Sequence, residues 1–592
     1  MKKKGIWSGG SLSEAEVSRI GALFLGQDEP GAPGGALAVM ERGEVVLRYC
    51  FGLASVEHGV AIEPQTCFHV VSLTKMFTAA ALVLLEAQGR VSLDDDIRRF
   101  IPELADGLFE GGAISVRHLL SMTSGLRDGL EIMRLRGVWR PSAQRERDLL
   151  ELAYRQDQLS FPVGTRFVYT NTNFVLLAEL IRRITGMDAD EYRKMAIYDP
   201  LGMTATLKRD SDEYVVPHLA TPYIPTADGG FCRGTNLLGI SGDVLVTNLQ
   251  DMIKWLAALR EGPSASSGTV GGVAITKQLA EPMRLADESP TYYGLGLAIR
   301  EYRGLPVLSH TGSQPGYKAH LAYIPERDFG FVMLSNREDS APSRRMIEIA
   351  EILLEGRFPE AHPAQKILHG ARSFTARSFT AFRMTSMTDK CGGSIEQAPS
   401  AADNSLDGIY VAPDSGEVIT LTQHEHTIQG DALGVPLTLY PQGKGVFTDG
   451  GDYKATMPVT LSFEWGAAPS DVTCRVNLGG FKATFKRQPA ITLTRQQLSA
   501  FVGRYESDEM ATVHLISLAP SGTLTIQYGT GFDRALTFEM TPIAHDLFLV
   551  RPTAPGISYQ HLFRFQRNQA GEVIAALVSM ARLKNVRLIR RG

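Results

Sequence analysis

The hydrophobic pattern of this chain of 592 residues changes once, and that change limits the folds open to it. From about residue 405 to the end, short runs of alternating apolar and polar residues are separated by turn residues. Alternation with a period of two is typical of strands that bury one face. The last part of the chain is therefore predicted to be all-β, whereas the part before it mixes helical and strand patterns.

The all-β part contains a weak internal repeat. A Gly-x-Tyr sequence opens a strand pattern at residue 408 and again at residue 503, which is 95 positions later. Each half also closes on a similar strand end, at residues 484–487 and 564–567. A period this long on short strands predicts two related antiparallel β-barrel or sandwich domains in tandem.

Residues 361–404 differ from the sequence on either side of them. They contain Pro, Ser and Gly and repeat Ala-Arg-Ser-Phe-Thr at 371–375 and 376–380. This composition is typical of an extended linker. The predicted organisation is an α+β domain over residues 1–360, the linker over 361–404, a first β-barrel domain over 405–490 and a second over 491–592.

The mixed part predicts an antiparallel sheet packed against a helical region. A capping box at Ser13 begins a helix, and a hairpin follows at residues 36–51. Residues 71–88 are apolar nearly all round, which predicts a helix buried in the core. Strands near both ends of this part, with helices between them, predict a sheet completed by its two termini. The other helical patterns cover residues 173–185, 248–260 and 344–354, and the other strand patterns cover 293–300, 307–313, 319–324 and 330–335.

Charge and composition exclude several classes of protein. The chain has 60 Lys+Arg against 64 Asp+Glu, a net charge of −4, which argues against a nucleic-acid partner. The longest apolar stretch, residues 76–85, is too short to span a bilayer, so we expect no membrane partner. Three lysines near the start are not followed by an apolar segment, and the five cysteines have no paired spacing. These features favour a cytoplasmic enzyme.

The strongest chemical motif is Ser72-x-x-Lys75 at the start of the predicted buried helix. A serine in the first turn lies near unpaired N–H groups and the positive end of the helix dipole. A lysine one turn later lies on the same face, and burial is expected to lower the pKa of its amine so that it acts as a base. The pattern alone occurs by chance in long chains and equally fits the start of a surface helix. Since this helix is otherwise apolar, however, Lys75 needs a polar partner in the core.

Tyr169-x-Asn171 supplies one candidate partner. It follows a turn at residues 161–165 and leads into a helical pattern. The phenol can share a proton with Ser72 and Lys75, and the Asn171 amide can orient a substrate. Taken singly, the motif also describes an ordinary buried tyrosine beside a helix start.

His310-Thr311-Gly312 lies at the end of a predicted strand. Glycine removes a side chain from that strand, so that a substrate backbone can lie alongside it. A single histidine of this kind is more often structural than catalytic. Its weight here comes from its order in the chain after the two preceding motifs.

Together these motifs resemble those of the penicillin-recognising serine hydrolases, which include class C β-lactamases, DD-peptidases and related esterases. The family pattern is Ser-x-x-Lys, Tyr-x-Asn and Lys/His-Thr-Gly in that order, and residues 1 to about 360 follow it. Residues 119–126 also resemble a structural signature of the family. The resemblance implies a serine β-lactamase/DD-peptidase-like α+β catalytic domain that acts without a cofactor or a metal.

The resemblance also implies a role for each motif residue. Ser72 would be the acylated nucleophile, Lys75 its base or proton shuttle, and Tyr169 the second proton carrier. The sequence does not decide which of Lys75 and Tyr169 takes the serine proton, since the two are expected to titrate as a coupled pair. The oxyanion hole would consist of the backbone N–H groups of Ser72 and Ser313, with Asn171 and Gly312 beside the substrate.

His310 stands where β-lactamases of this family commonly carry lysine. A titrating imidazole suits a substrate carboxylate less well than a fixed cation does. This departure favours esterases and aminopeptidases. A β-lactam is still expected to inhibit the enzyme, and a homodimer is compatible with the sequence.

The two-barrel tail makes the layout similar to that of the bacterial D-stereospecific aminopeptidases. In those enzymes a loop of the last barrel reaches the active site and presents an acid to the substrate amine. The corresponding loop here is predicted at residues 551–558, which contain no Asp or Glu, so that Asp508 is considered as a substitute.

The expected function is that of a serine hydrolase which releases N-terminal D-amino acids from short peptides, amides or esters. The alternatives are a carboxylesterase of the same fold and a penicillin- or peptide-binding module of low turnover. A metal site at His424-Glu425-His426 is a weaker hypothesis, because no third ligand lies nearby in the sequence.

Overall fold

A computed structural model gives the structure of the protein. It describes residues 6–8, 12–138, 146–209, 211, 213–235, 244–260, 273–359, 405–413, 417–424, 427–432, 435–443, 446–448, 459–466, 471–478, 481–489, 491–529, 537–551, 560–580 and 582–591.

The helices are α1 (Glu14–Ala22), α2 (Thr74–Ala87), α3 (Val116–Leu120), α4 (Gly129–Leu135), α5 (Glu146–Tyr154), α6 (Asn171–Thr185), α7 (Ala189–Arg193), α8 (Leu249–Arg260), α9 (Val273–Leu279), α10 (Pro342–Leu353) and α11 (Arg495–Ser499). The strands of the α+β part are β1 (Ile6–Ser8), β2 (Gly35–Glu41), β3 (Glu44–Phe51), β4 (Leu53–Ser55), β5 (Val60–Ala61), β6 (Cys67–His69), β7 (Leu207–Lys208), β8 (Tyr223–Pro225), β9 (Phe231–Arg233), β10 (Leu245–Asn248), β11 (Ala298–Tyr302), β12 (Leu305–Gln314), β13 (Tyr317–Ile324) and β14 (Phe329–Ser335).

The strands of the first barrel are β15 (Gly408–Val411), β16 (Val418–His424), β17 (Thr427–Ala432), β18 (Val435–Gly443), β19 (Val446–Thr448), β20 (Val459–Trp465), β21 (Val472–Leu478) and β22 (Phe481–Arg487). Those of the second are β23 (Gly503–Ser507), β24 (Thr512–Leu518), β25 (Leu524–Tyr528), β26 (Thr537–Ala544), β27 (Leu547–Val550), β28 (His561–Arg567), β29 (Val573–Met580) and β30 (Leu583–Arg590).

The α+β part is built on one antiparallel sheet. Among the described residues it contains seven strands in the order β1-β3-β2-β14-β13-β12-β11. Strands from the two ends of this part meet where β2 pairs with β14, from Gly35 opposite Ser335 to Glu41 opposite Phe329. Every residue of β14 is buried, and α8 and α10 both contact it. The prediction of a helix-covered sheet completed by the two ends of the part is confirmed.

Helix α2 lies in the centre of the helical region. It contacts α6, α7 and α9, and 11 of its 14 residues are buried, as its apolar sequence predicts. The chain enters it through a single 3-10 turn, Val71–Leu73, so the α-helix begins slightly later than the pattern at residues 71–88 indicates. The predicted capping box at Ser13 is present at the start of α1.

One predicted strand is wrong in its bounds. Residues 293–297 do not extend β11, which begins at Ala298. Instead, the Leu295 N–H donates to the Leu279 carbonyl at 2.8 Å, and Gly296 adopts a positive φ of 68° against α2. A Cβ at Gly296 would lie 2.9 Å from that of Ala79, so only glycine allows this close approach.

The first barrel is a closed antiparallel barrel in which, over its described residues, β15 to β22 follow chain order. It closes where β15 pairs with β22, with Tyr410 opposite Arg487. Burial alternates along β20 and β21, so that one face of each strand lies inside the barrel. This barrel forms one compact unit of the chain, Arg357–Leu478 with Lys482–Pro489.

The second barrel closes in the same way, with β23 pairing β30 at Tyr505 and Arg590. It belongs to the same compact unit as the α+β part. Helix α4 contributes Ile132, Met133 and Leu135 to the hydrophobic core of this barrel. In addition, the Thr512 hydroxyl donates to the Leu135 carbonyl at 3.0 Å. The second barrel and α4 are therefore packed as one core.

The prediction of two antiparallel barrels after an α+β part is confirmed. The predicted linker at 361–404 lies outside the described residues, and the domain boundaries drawn from the sequence stay predictions. In the part of the chain that the structure describes, no helix combines the length and the apolar character needed to cross a membrane.

Candidate active site

Ser72 lies in the 3-10 turn that leads into α2, and its side chain is half-buried. The preceding residue, Val71, has a positive φ of 49°. That conformation is costly for a β-branched side chain and is typical of strained turns at functional sites. The turn holds the Ser72 hydroxyl beside the first turn of α2.

Lys75 is buried completely on the same face of α2. Its Nζ lies 3.4 Å from the Ser72 Oγ and donates to the Asn171 Oδ1 at 3.0 Å. Burial lowers the pKa of the Lys75 amine to about 7, aided by the charge of Arg582 and opposed by that of Asp128. A large fraction of the amine is therefore the free base at neutral pH.

Tyr169 faces the same serine from the segment before α6. Its phenol is a hydrogen-bond partner of Ser72, and the Lys75 Nζ lies 5.1 Å from the centre of its ring. Burial raises the pKa of Tyr169 to about 12, although Ser72 and Arg582 oppose the rise. Lys75 is thus the stronger candidate for the base at neutral pH, and the Tyr169 phenol keeps its proton.

The segment after α3, which resembles a family signature, holds Tyr169 in place. The Val168 N–H donates to the Met122 carbonyl at 3.0 Å, and the Ser124 hydroxyl donates to the Asn173 Oδ1 at 2.7 Å. Met122 itself has a positive φ of 62°. These bonds fix both sides of the Tyr169-x-Asn171 motif.

Asp128 is a residue of the site that the sequence analysis missed. Its Oδ2 accepts from the Asn171 N–H at 2.6 Å, and its Oδ1 accepts from the N–H groups of Leu130 and Glu131 at 3.1 and 3.2 Å. The carboxylate therefore caps α4 and also fixes Asn171, which in turn binds Lys75. An Asp-Gly pair before a helical pattern is a readable cap signal, but its link to Asn171 is long-range.

His310 lies on β12, and both of its ring nitrogens are engaged. Nδ1 donates to the Thr311 carbonyl at 2.8 Å, and Nε2 lies 3.0 Å from the Tyr293 hydroxyl, which donates to it. Burial lowers the pKa of His310 to about 3, and the charge of Lys75 adds to this effect. The imidazole is therefore neutral, and Tyr293, which no motif indicated, is its fixed partner.

Gly312 is needed for a different reason from the one expected. A Cβ at this position would collide with the Val70 carbonyl, in the turn before Ser72. The glycine thus lets β12 pack closely against the serine turn. Ser313 follows it, opposite Lys318 on β13, and its hydroxyl accepts from the Lys318 Nζ at 2.7 Å. The assignment of the Ser313 N–H to an oxyanion hole stays a prediction.

The second barrel contributes Arg582, which also carried no motif. Arg582 lies in the turn between β29 and β30, and its guanidinium carbon is 5.0 Å from the centre of the Tyr169 ring. Its carbonyl accepts from the Asp128 N–H at 3.2 Å. The site is therefore formed by the α+β part and the second barrel together.

The loop expected at the active site, residues 551–558, lies outside the described residues except for Arg551. Asp508, considered as a substitute acid, is exposed, and its carboxylate lies 3.6 Å from Arg591. Its neighbour Glu509 forms a buried ion pair with Arg127.

Metal binding has little support in the described residues, since no cluster there contains three or more His, Cys, Asp or Glu side chains placed to hold an ion. His424 ends β16, and both Glu425 and His426 lie outside the described residues.

Comparison with known proteins agrees with this architecture. Residues 22–354 match the protein family described as Beta-lactamase. This match covers more than half of the chain, and the chain belongs to that family.

Two curated relatives are D-aminopeptidases. That of Gluconobacter oxydans is 29% identical over 329 residues, which cover 55% of this chain and 59% of the relative. That of Brucella canis is 30% identical over 312 residues, which cover 52% and 57%. The matched region thus spans somewhat more than half the length of these relatives. The octameric penicillin-binding protein homologue from Pyrococcus abyssi has a similar fold, with a TM-score of 0.53 and 21% identity over 80% of this chain and all of the other.

Proposed function

We propose that this protein is a serine hydrolase that forms an acyl-enzyme at Ser72 and releases N-terminal D-amino acids from short peptides, amides or esters. The observation that carries the proposal is the fully buried Lys75, whose amine lies 3.4 Å from the Ser72 hydroxyl. Its lowered pKa of about 7 leaves the base unprotonated in many molecules at neutral pH. An adjacent base of this kind is what a serine needs to act as a nucleophile.

The proposed reaction has two half-reactions. In the first, neutral Lys75 takes the Ser72 hydroxyl proton while Oγ bonds to the substrate carbonyl carbon. The bond to the leaving nitrogen or oxygen then breaks, and the proton passes by way of the Tyr169 phenol to the departing group. In the second, water attacks the ester on Ser72, gives its proton to the same base, and the acid leaves with Ser72 restored.

The backbone N–H groups of Ser72 and Ser313 are proposed to bind the developing oxyanion. Donors of this kind are fixed before the reaction and need no reorganisation as negative charge forms. The close packing of Gly312 against Val70 supports the assignment, because it brings the strand that carries Ser313 up to the serine turn.

Preference for D-residues is proposed from the relatives. The two curated relatives are D-aminopeptidases, and the region they match covers all three motifs. Because that region is only part of either chain, enantiomer preference is the part of the proposal that most needs measurement.

The experiment compares the p-nitroanilides of D-Ala and L-Ala as substrates of wild type, Ser72→Ala and Ser499→Ala. Ser499 is an exposed serine of α11 and serves as the matched control. We expect D-Ala p-nitroanilide to be cleaved faster, Ser72→Ala to lose at least a thousandfold in kcat/KM, as is usual for a nucleophile on the order of 10³ or more, and the control to match wild type. Equal rates for the two enantiomers would contradict D-specificity, and an active Ser72→Ala would contradict the acyl-enzyme.

A carboxylesterase of the same fold is the second candidate. The specific observation in its favour is the neutral His310, which offers no cation for a substrate carboxylate. Short-chain acyl p-nitrophenyl esters that are cleaved far faster than any D-aminoacyl substrate would favour this reading.

A binding module of low turnover is a third reading. A fluorescent β-lactam that labels Ser72 stoichiometrically, with no turnover of peptide, amide or ester, would favour it. β-Lactam inhibition, a homodimer and a cytoplasmic location are proposed from the sequence and need separate measurement.

A further inference from the structure

The tip of the last hairpin of the second barrel enters the active site. Two hydrogen bonds hold it there, from the Asp128 N–H to the Arg582 carbonyl at 3.2 Å and from the Lys584 N–H to the Ser160 hydroxyl at 3.2 Å. Both bonds use the backbone of the hairpin, so its position does not depend on the side chain of residue 582.

The Arg582 side chain lies half-buried over Tyr169. Its guanidinium carbon is 5.0 Å from the centre of the phenol ring, and the Lys75 Nζ lies 5.1 Å from the same centre. A guanidinium over an aromatic face is held by a cation–π interaction, which leaves the edge of the planar group with its N–H donors directed away from the ring.

The charges around this group are unequal. The cations are Lys75 and Arg582, and the nearest carboxylate, that of Asp128, already accepts from three backbone N–H groups. Glu131 is completely buried and pairs with Arg134 at 2.8 Å. His310 is neutral and adds no negative charge. The site as a whole therefore favours an anionic group on the substrate.

We propose that Arg582 is a specificity-determining residue that binds a carboxylate on the leaving part of the substrate. The inference rests on the proposed function and narrows its substrate class to D-aminoacyl peptides with a free carboxyl end, in preference to their amides and esters. Two features support it: Tyr169, under Arg582, is the proposed proton donor to the leaving group, and a guanidinium binds a carboxylate through two parallel hydrogen bonds. Partial burial strengthens that pair relative to one in water.

The test measures kcat/KM for D-Ala-Gly and for D-Ala-Gly amide and takes their ratio. Wild type, Arg582→Gln, Arg582→Lys and Arg587→Gln are compared, where Arg587 is an exposed arginine on β30 and the matched control. A charge-assisted hydrogen bond predicts a ratio of about 10 to 100 in wild type. We expect Arg582→Gln to bring the ratio close to one, Arg582→Lys to keep part of it, and Arg587→Gln to keep all of it.

The ratio separates recognition from chemistry. Any general loss, including a change in the basicity of Lys75, affects both substrates equally and cancels. A wild type that cleaves both peptides equally, or an Arg582→Gln variant with the wild-type ratio, overturns the inference and leaves the proposed function standing. A wild type that cleaves neither peptide nor any D-aminoacyl amide or ester overturns both. If Arg582→Gln does not fold, an unchanged ratio in Arg582→Lys, which keeps the charge but loses the fork, counts against the inference.

Discussion

A buried lysine such as Lys75 lowers the stability of the fold for the sake of its chemistry. Its amine is completely enclosed, and its polar contacts are the Asn171 amide and the Ser72 hydroxyl. Burial disfavours the charged form, which lowers the pKa from 10.5 to about 7. The same burial makes the amine a base at neutral pH, so stability and activity make opposite demands on this residue.

Replacing Lys75 with Met is expected to abolish hydrolysis and raise stability at pH 7 by about 1–4 kcal/mol. Between pH 7 and 10.5 the unfolded chain binds more protons at this position than the folded protein does. The stability of wild type therefore rises with pH in that window, and the advantage of Lys75→Met should shrink toward pH 10. Thermal unfolding at pH 7 and pH 10 measures this, with the exposed Lys277→Met as the control. A Lys75→Met variant that melts below wild type at pH 7 would contradict the account.

The residues that the sequence could predict are those whose partners are local or belong to a motif. Ser72 and Lys75 are one helical turn apart, and Tyr169 stands in a recognisable order after them. Asp128 and Arg582 are different, because their importance arises from contacts with residues distant in the chain. No local pattern distinguishes Arg582 from the other arginines of β29 and β30.

At the scale of elements, close backbone packing gives the site its shape. β12 approaches the serine turn because Gly312 has no side chain to meet Val70, and Gly296 lets the chain before β11 pass against α2. The alternating pattern at residues 293–300 predicted a longer strand. Alternation reports which residues are apolar, but not that Leu295 bonds to Leu279 in place of a neighbouring strand.

Helix α4 joins the two parts of the site, since its apolar residues lie in the core of the second barrel. Leu135 is completely buried there, and its carbonyl accepts from Thr512. Leu135→Ala is expected to destabilise this unit by about 2–5 kcal/mol. We also expect kcat/KM to fall, since the barrel that carries Arg582 is held less firmly. Leu515→Ala on the exposed face of β24 is the control. Equal melting temperatures for the two variants would argue against a shared core.

The turn between β23 and β24 brings Glu509 to Arg127, next to Asp128. Burial raises the pKa of Glu509 from 4.5 to about 7, against the opposing charge of Arg127. Between pH 4.5 and 7 the folded protein therefore holds a proton here that the unfolded chain releases, and stability falls as pH rises.

We accordingly expect the melting temperature of wild type to fall relative to that of Glu509→Gln as pH rises from 4.5 to 7. The change should be complete above that window. Asp508→Asn, at the exposed neighbouring position, is expected to follow wild type. A difference between wild type and Glu509→Gln that stays constant with pH, or that changes in the opposite direction, would contradict this prediction.

At the scale of the whole molecule, the tail is part of the enzyme. The repeat of Gly-x-Tyr strands predicted two barrels correctly, because alternation and turn residues are local signals. The sequence could not predict that the tip of the second barrel lies on Tyr169, since docking depends on surfaces formed only after folding. The sequence-based interpretation looked for an acid in the last barrel, whereas the described residues provide an arginine.

The central claim is that Ser72 becomes acylated during turnover. The most direct measurement mixes the protein with D-Ala p-nitrophenyl ester, quenches the reaction in acid within the first turnovers, and locates the acyl group by peptide mass spectrometry. The account predicts one D-alanyl group on the peptide that contains Ser72, and none in Ser72→Ala. An acyl group on another residue, or turnover by Ser72→Ala at the wild-type rate, would contradict it.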